Sequence, residues 1–516
     1  MKLVGAPADR GETHEDSTPS LTHRAMGGMI WVAWGSGGVG LLKVVVLVIL
    51  TRLLTPADFG VVTAALVVIN FSLNFSQVGL GPALVQRPVL EPRHTSTGFL
   101  ASAVFGLLLA AITWLAAPLI AQFFRMDHLT PVVRALAIIF IISGVATVPE
   151  SLLQRNLRFR FIANRDLFAY AVSWLGVGVG LALLGWGPWS LVVAQLTQVT
   201  IRTAILLRAA PSFLTGRPTW ASFVELMDYG VGQSITRMGF ILANQADNLV
   251  VGRWLGAAPL GIYSRAYQFM QVPTGLVADV LDKVLFPTMA RVQDDLRRLA
   301  SAYLRATTAL VLVMLPIGVV AAVLAPELVA VVFGRRWQAL VSPFQILALG
   351  MVLRAGIRMS DSLSRATGKV YRRAWRQWLY AGLVFLGAWV GLRGGVTGVA
   401  AGVLCALFIN YLMMAQLSLS VIQVSWTRFA LAQLPALRLT LVIALVTAAT
   451  TAGVRHFGLP PLVGLVAGCA AAALSAGLMV SLAPTLALGR YGMRMRDTLR
   501  SYLLARLRPA RARGSA

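Results

Sequence analysis

Hydrophobic runs of membrane-spanning length recur along this chain, separated by short polar breaks. A helix needs roughly 20 apolar residues to cross the hydrocarbon core, and fourteen such segments centre near residues 38, 69, 108, 141, 176, 198, 240, 268, 312, 354, 384, 406, 445 and 471. The expected fold class is all-α, a polytopic membrane protein of about 14 transmembrane helices. Pro149, Pro273 and Pro316 fall inside segments, where neighbouring helices must satisfy the freed carbonyls, so local bends are expected there.

The polar breaks divide the chain into a polar tail (residues 1–25), six spans (26–210), a linker (211–228), six more spans (229–420), a final pair (430–485) and a basic end (486–516). The tail lacks the basic start and apolar run of a cleavable signal and reads as a disordered cytoplasmic segment. In the linker, Trp220, Phe223, Leu226 and Met227 alternate with Glu225 and Asp228, a spacing suited to a short amphipathic helix at the interface. The two six-span blocks echo one another. Arg52 to Gly60 (RLLTPADFG) and Arg253 to Gly261 (RWLGAAPLG) lie 201 positions apart, each between two hydrophobic segments. Ser151 to Arg155 (SLLQR) ends the fourth segment, as Asp361 to Arg365 (DSLSR) ends the tenth. Repetition of an even number of spans gives two similarly oriented halves, an organisation that places a transport cavity between them.

Composition agrees with this class, at 57% hydrophobic and 12% charged residues. With the amino terminus placed in the cytoplasm and fourteen alternating spans, about 29 of the 45 basic residues fall in cytoplasmic segments and about 7 in external loops. Both termini are therefore expected in the cytoplasm. The net charge of +26 invites a nucleic-acid reading, but a basic segment beside a last span is better matched to anionic membrane lipids. The glycine-rich runs Gly35 to Gly40 and Gly176 to Gly180 follow no soluble strand and carry no phosphate-loop Lys; they read as close helix packing. Cys405 and Cys469 read as small packing residues. The five histidines, at 14, 23, 94, 128 and 456, are scattered, and no nucleophile turn or metalloprotease motif occurs.

Span seven carries the candidate chemistry. Gln233, Arg237, Phe240, Asn244, Asp247 and Asn248 recur at steps of three and four and so share one face. A cation near the bilayer centre costs roughly 3 kcal/mol if it faces lipid, so this face must meet protein or water. The 201-residue offset maps Arg237 onto Ser36 and Asn244 onto Lys43, the one charge of the first span. Span ten adds Arg354 and Arg358, and span two adds Asn70, Asn74 and Gln77. Asp361 lies within helical reach of both Arg358 and Arg365, as Asp279 does of Lys283, and such pairs can neutralise themselves. Arg202 and Arg438 are expected to snorkel towards headgroups. Lys43 and Arg237 have no acid within helical reach. Unneutralised cations suit an anionic ligand, since Arg offers a fork matched to phosphate oxygens and Lys a point charge. Asp247 either pairs with such a cation or couples conformations by taking up H+ or Na+.

The stretches Arg52 to Gly60, Asp247 to Tyr267 (DNLVVGRWLGAAPLGIYSRAY) and Leu152 to Phe159 (LLQRNLRF) resemble the polysaccharide-transport branch of the flippase superfamily that also contains multidrug and toxin exporters. The resemblance extends from about residue 26 to 485 in span count and order. It implies two six-helix lobes in a V shape with two extra carboxyl-terminal helices. It also implies a ligand, an undecaprenyl-diphosphate-linked oligosaccharide moved across the bacterial inner membrane for exopolysaccharide, capsule or O-antigen assembly, with polysaccharide polymerase machinery as a further partner. Lys43, Arg237, Arg354 and Arg358 would hold the diphosphate, aided by Gln233, Asn244, Asn70 and Asn74. Multidrug exporters rely on acidic cavity residues, which the first span lacks; lipid II flippases share the cationic pattern. The rival from another class, a membrane-embedded polymerase or ligase, would need acceptor-recognition groups and a sizeable external loop. No nucleotide-binding motif or cofactor signature is present, and nucleic acid is not an expected partner.

Overall fold

The computed structural model describes residues 40, 42–77, 79–209, 216–489 and 492–493, with side chains except at 74–77, 159, 228–238, 240–241, 276–288 and 370–371. The polar tail, Ser36, most of the basic carboxyl end and the side chains of Gln233, Arg237, Asn74, Gln77, Phe240, Asp279, Asp282 and Lys283 lie outside the described residues.

The described residues are helical throughout, with no strand. The first half holds α1 (42–53), α2 (Pro56–Gln77), the short α3 (Leu80–Gln86), α4 (Pro92–Phe124), α5 (Leu129–Arg155), α6 (Phe159–Tyr170) and α8 (Pro188–Ala209). Between α6 and α8, a π-helical turn, Ala171–Gly178, continues into α7 (Val179–Leu183). The second half holds α9 (Trp220–Trp254), α10 (Ala257–Arg291), α11 (Leu296–Val323), α12 (Ala325–Leu328), α13 (Val341–Ala366), α14 (Val370–Gly391) and α15 (Gly395–Ile422). The chain closes with α16 (Trp426–His456) and α17 (Pro461–Leu482). Ten stretches among the described residues are long and apolar enough to cross a membrane, one of them, Arg372–Ile422, containing both α14 and α15. Large apolar side chains point outward, with Leu115 70% and Leu482 81% exposed. Apolar surface on this scale is stable against lipid rather than water.

The repeated motif builds the contact between the halves. At the start of α2, Asp58 accepts from the Thr55 backbone N–H at 2.8 Å, while the Thr55 hydroxyl oxygen accepts from the Asp58 N–H at 3.3 Å. This reciprocal cap, with Pro56 in the first helical turn, explains the TPAD sequence. In the second copy Gly256 takes the equivalent place with φ of 95°, a left-handed conformation suited to glycine. The two helix starts then touch backbone to backbone. A Cβ on Gly60 would lie 1.8 Å from the Ala257 carbonyl oxygen, and one on Gly261 would lie 1.8 Å from that of Pro56. One turn further on, the hydroxyls of Thr63 and Ser264 meet at 3.3 Å. The 201-residue offset exchanges the two glycine contacts, Gly60 with Gly261 and Pro56 with Ala257, and relates Thr63 to Ser264, so a local two-fold axis passes through the crossing of α2 and α10.

The motif arginines flank this crossing. Arg52 donates to the Val331 carbonyl, and beside it the Trp337 indole N–H donates to the Thr51 carbonyl at 2.9 Å while its ring meets Phe59 edge-on. Arg253 lies over the Phe123 ring, 5.5 Å from its centre. The segment from residue 324 to 341, between α11 and α13, is folded into α12, a π-helical Val329–Phe333 and a 3-10 Arg335–Leu340.

At the other end of the bundle the linker from Trp220 onward forms the first turns of α9, continuous with span seven rather than a separate short helix. The Thr219 side chain accepts from the Ser222 N–H at 3.3 Å and caps the helix. Leu226 packs among Leu80, Ala83, Leu84 and Val148 of the first half. Arg155 of the LLQRNLRF stretch donates to the carbonyls of Leu84, Val85, Arg87 and Pro88, satisfying the open end of α3. At the opposite end, Arg455 of α16 grips Glu327 of α12 through two bonds of 2.7 and 2.9 Å, tying the final pair to the second half. Cys405 and Cys469, expected as packing residues, are both exposed: they lie on helix faces turned away from the protein interior.

Replacing either glycine of the crossing by Val should destabilise the protein by about 1–3 kcal/mol or more, because backbone rather than a side chain blocks the new atoms. Gly275→Ala in α10, where a Cβ meets nothing within 4 Å, should be neutral or stabilising. Thermal unfolding in detergent checks both; equal melting temperatures for Gly60→Val and Gly275→Ala would contradict the crossing.

Candidate functional site

Three polar groupings lie inside the bundle. The first belongs to the second half and joins residues from α9, α10, α13 and α14. Asp247 is fully buried, and its carboxylate accepts from the Tyr263 hydroxyl at 2.7 Å and from the Asn248 N–H at 2.8 Å. Arg354 donates to Asn244 at 3.1 Å and to the Tyr267 hydroxyl, and stacks 4.7 Å from the centre of the Tyr267 ring. Tyr380 adds a further hydrogen bond to Arg354, whose charge also acts on Asp247. A carboxylate removed from water in this way needs partners of this kind. The structure thus brings together Asn244, Asp247 and Arg354, and Arg354 is compensated rather than isolated.

The second grouping lies across the α2–α10 crossing. Lys43 of α1 is exposed, with Nζ 5.9 Å from the Tyr170 ring centre. Arg265 of α10 reaches over the Phe59 ring of α2 at 4.9 Å and acts electrostatically on the same Tyr170. Its Nε is buried without a hydrogen-bond partner, and no carboxylate pairs with either cation among the described residues. Sequence reasoning passed over Arg265. The signal was present, since no acid stands three or four positions from it; the repeat drew attention elsewhere because its equivalent under the offset is Ala64. Of the other candidates, Asn70 is exposed on α2 and Arg358 is exposed on α13, one turn beyond Arg354.

The third grouping is a cavity of about 650 Å³ in the first half, walled by α2, α3, α5 and α8. Arg202 on its rim does not snorkel to headgroups as expected. It donates to Glu150 at 2.7 Å and lies 3.2 Å from Asp166, while the buried Arg165 bonds Asp166 at 2.7 Å. Glu150 comes from α5 and Asp166 from α6, positions too far apart in sequence for helical periodicity to connect them. Asp361 likewise pairs outside its helix with Arg373 as well as with Arg365, 3.4 Å away. Among the described residues no group of three or more His, Cys, Asp or Glu could hold a metal ion.

At the linker end, Glu225 takes a bond from Arg87 and lies 3.4 Å from His94 Nε2. The hydrogen bond from Arg87 holds this carboxyl below the usual carboxylate range, with smaller contributions from the Arg87 and His94 charges against a desolvation that raises it.

Residues 49–342 match the family described as "Polysaccharide biosynthesis protein". The chain is 24% identical over 359 residues to the teichuronic acid biosynthesis protein TuaB of Bacillus subtilis, covering 68% of this chain and 73% of that one. It is 27% identical over 310 residues to the succinoglycan biosynthesis transport protein ExoT of Rhizobium meliloti, covering 60% and 62%. A solved structure titled as the lipid II flippase MurJ in an inward closed conformation superposes with a TM-score of 0.71 at 13% identity, covering 88% of this chain and 99% of that one; that likeness concerns the fold.

A carboxyl whose folded pKa is depressed stabilises the fold above its unfolded pKa and loses that contribution as pH falls through the folded one. Glu225→Gln should therefore lower the melting temperature at pH 7, and the gap to the parent should close below about pH 4. A gap that persists unchanged into acid would show that the charge of Glu225 is not what holds the linker to α3 and α4.

Proposed function

We propose that this chain, which belongs to the polysaccharide biosynthesis protein family and holds ten stretches long and apolar enough to cross a membrane among its described residues, is a transporter rather than an enzyme, the flippase for an undecaprenyl-diphosphate-linked oligosaccharide. On this reading it lies in the bacterial inner membrane with both termini in the cytoplasm and delivers repeat units for polymerisation outside. The observation that carries the reading is that Lys43, over the Tyr170 ring, and Arg265, over the Phe59 ring, come from opposite halves and have no carboxylate partners among the described residues. A diphosphate supplies the missing anion, with the guanidinium as fork and the ammonium as point charge. Arg237, Arg358, Asn70, Asn74 and Gln233 remain candidates for the surrounding path.

With the termini cytoplasmic, the α1–α2 and α9–α10 turns face outward. The glycine crossing and the contacts of Arg52 and Trp337 then close the external side, a resting state that admits the headgroup from the cytoplasm. Separation of this end with approach of the other presents the headgroup outside while the lipid tail stays in the bilayer. Drive comes from an ion gradient or from consumption of the product. Asp247 is the coupling candidate: protonation or Na+ binding would alter its compensation of Arg354 and hence the packing of α9 on α10 and α13.

Arg265→Ala and Lys43→Ala should each insert normally yet lower translocation by about tenfold or more, as expected for a lost charge-assisted contact. The measurement is accumulation of lipid-linked oligosaccharide on the inner leaflet of cells depleted of the parent protein; wild-type export by both variants would overturn the reading. Asp247→Asn should remove the response of transport to an imposed ion gradient, and a retained response in a folded variant would exclude it as the coupling group.

A further inference from the structure

The cavity of the first half plays no part in holding a diphosphate. Its charged lining is internally balanced: Glu150 and Arg202 pair on the wall, and outside the lining Arg165 and Asp166 pair with each other and with these two. What it offers instead is neutral hydrogen-bonding capacity. Gln86, Gln154 and Gln195 line it, and among the described residues their carboxamides have no protein partner. Glu150 receives both of its arginine bonds on Oε1, leaving Oε2 as an open acceptor. Each carboxamide presents donors and an acceptor together, and a carboxylate oxygen accepts from hydroxyl groups. This mixture matches a ligand dense in hydroxyls that are donor and acceptor at once. The volume, about 650 Å³, lies in the range of small-ligand sites.

A continuous strip joins the cavity to the cation pair. Lys43 lies over Tyr170, Tyr170 stacks on Trp174 with ring centres 5.9 Å apart, and the Trp174 indole N–H donates to Gln198 at 2.7 Å. Gln198 stands three positions after Gln195 and four before Arg202, so all three share one face of α8. We propose that this cavity is a saccharide subsite, which takes neutral sugar units of the lipid-linked substrate while Lys43 and Arg265 hold the diphosphate. The inference rests on the flippase reading and adds the basis on which glycans are told apart: the cations recognise what every such substrate shares, and the carboxamides recognise what differs.

The test compares two probes on the purified full chain in nanodiscs: undecaprenyl diphosphate alone, and the same lipid bearing a neutral hexose disaccharide. The parent protein should bind the glycosylated lipid about tenfold more tightly than the bare one, the effect of two or more added hydrogen bonds. Gln154→Ala/Gln195→Ala should erase that increment and leave affinity for the bare lipid unchanged; Ser143→Trp, which fills the cavity, should do the same by a different route. Lys43→Ala should weaken both probes alike. No increment in the parent, or an increment that survives both cavity variants, overturns the subsite while leaving the flippase reading standing. Failure of the parent to bind either lipid overturns that reading and the subsite with it.

Discussion

The fold turns on a backbone contact. Gly60 and Gly261 let the starts of α2 and α10 approach until the carbonyls of Ala257 and Pro56 occupy the space a side chain would take. Close approach of helix backbones is a principal source of association where no water drives apolar surfaces together. This contact lies on the local two-fold axis, so the same residues that weld the halves at one end also define the axis about which they are related. The surrounding contacts, from Trp337 on Phe59 to Arg52 on Val331, have meaning because the crossing sets their geometry.

The distribution of compensation sorts the charges carried by the helices. Arg354 and Asp247 sit in a web of three tyrosines and an asparagine, and Arg165 and Arg202 share Glu150 and Asp166. Such groupings hold helices in register and leave little net charge. Lys43 and Arg265, like Arg253, have aromatic rings as neighbours, whose faces attract a cation without neutralising it. Aromatic support keeps a cation in place and leaves its charge available.

Much of this was legible before the structure. The repeat became the two-fold crossing, residue for residue at Gly60 with Gly261 and Thr63 with Ser264, because an offset between homologous helices survives in sequence. The spacing on span seven placed Asn244 and Asp247 on one buried face, since helical periodicity is local. Pairings between helices were not legible: Arg202 with Glu150, and Arg373 with Asp361, join positions with no periodic relation. Arg265 was missed for a related reason. Arg265 breaks the repeat, its equivalent being Ala64, so the offset does not point to it. Symmetry located the scaffold, whereas Lys43 and Arg265 stand where the two copies differ, their equivalents being Asn244 and Ala64. The exposure of Cys405 and Cys469 was hidden too, because an apolar segment does not say which of its faces meets lipid.

The grip of Arg455 on Glu327 fastens α16 and α17 to one side only, packed along α11 and α12. Among the described residues the appended pair packs chiefly on the second half, so the two halves differ in what covers their outer surface. On the flippase reading, a tilt of the second half would carry this extra wall with it, so a hydrocarbon chain trailing from the headgroup would meet two doorways unlike in lining.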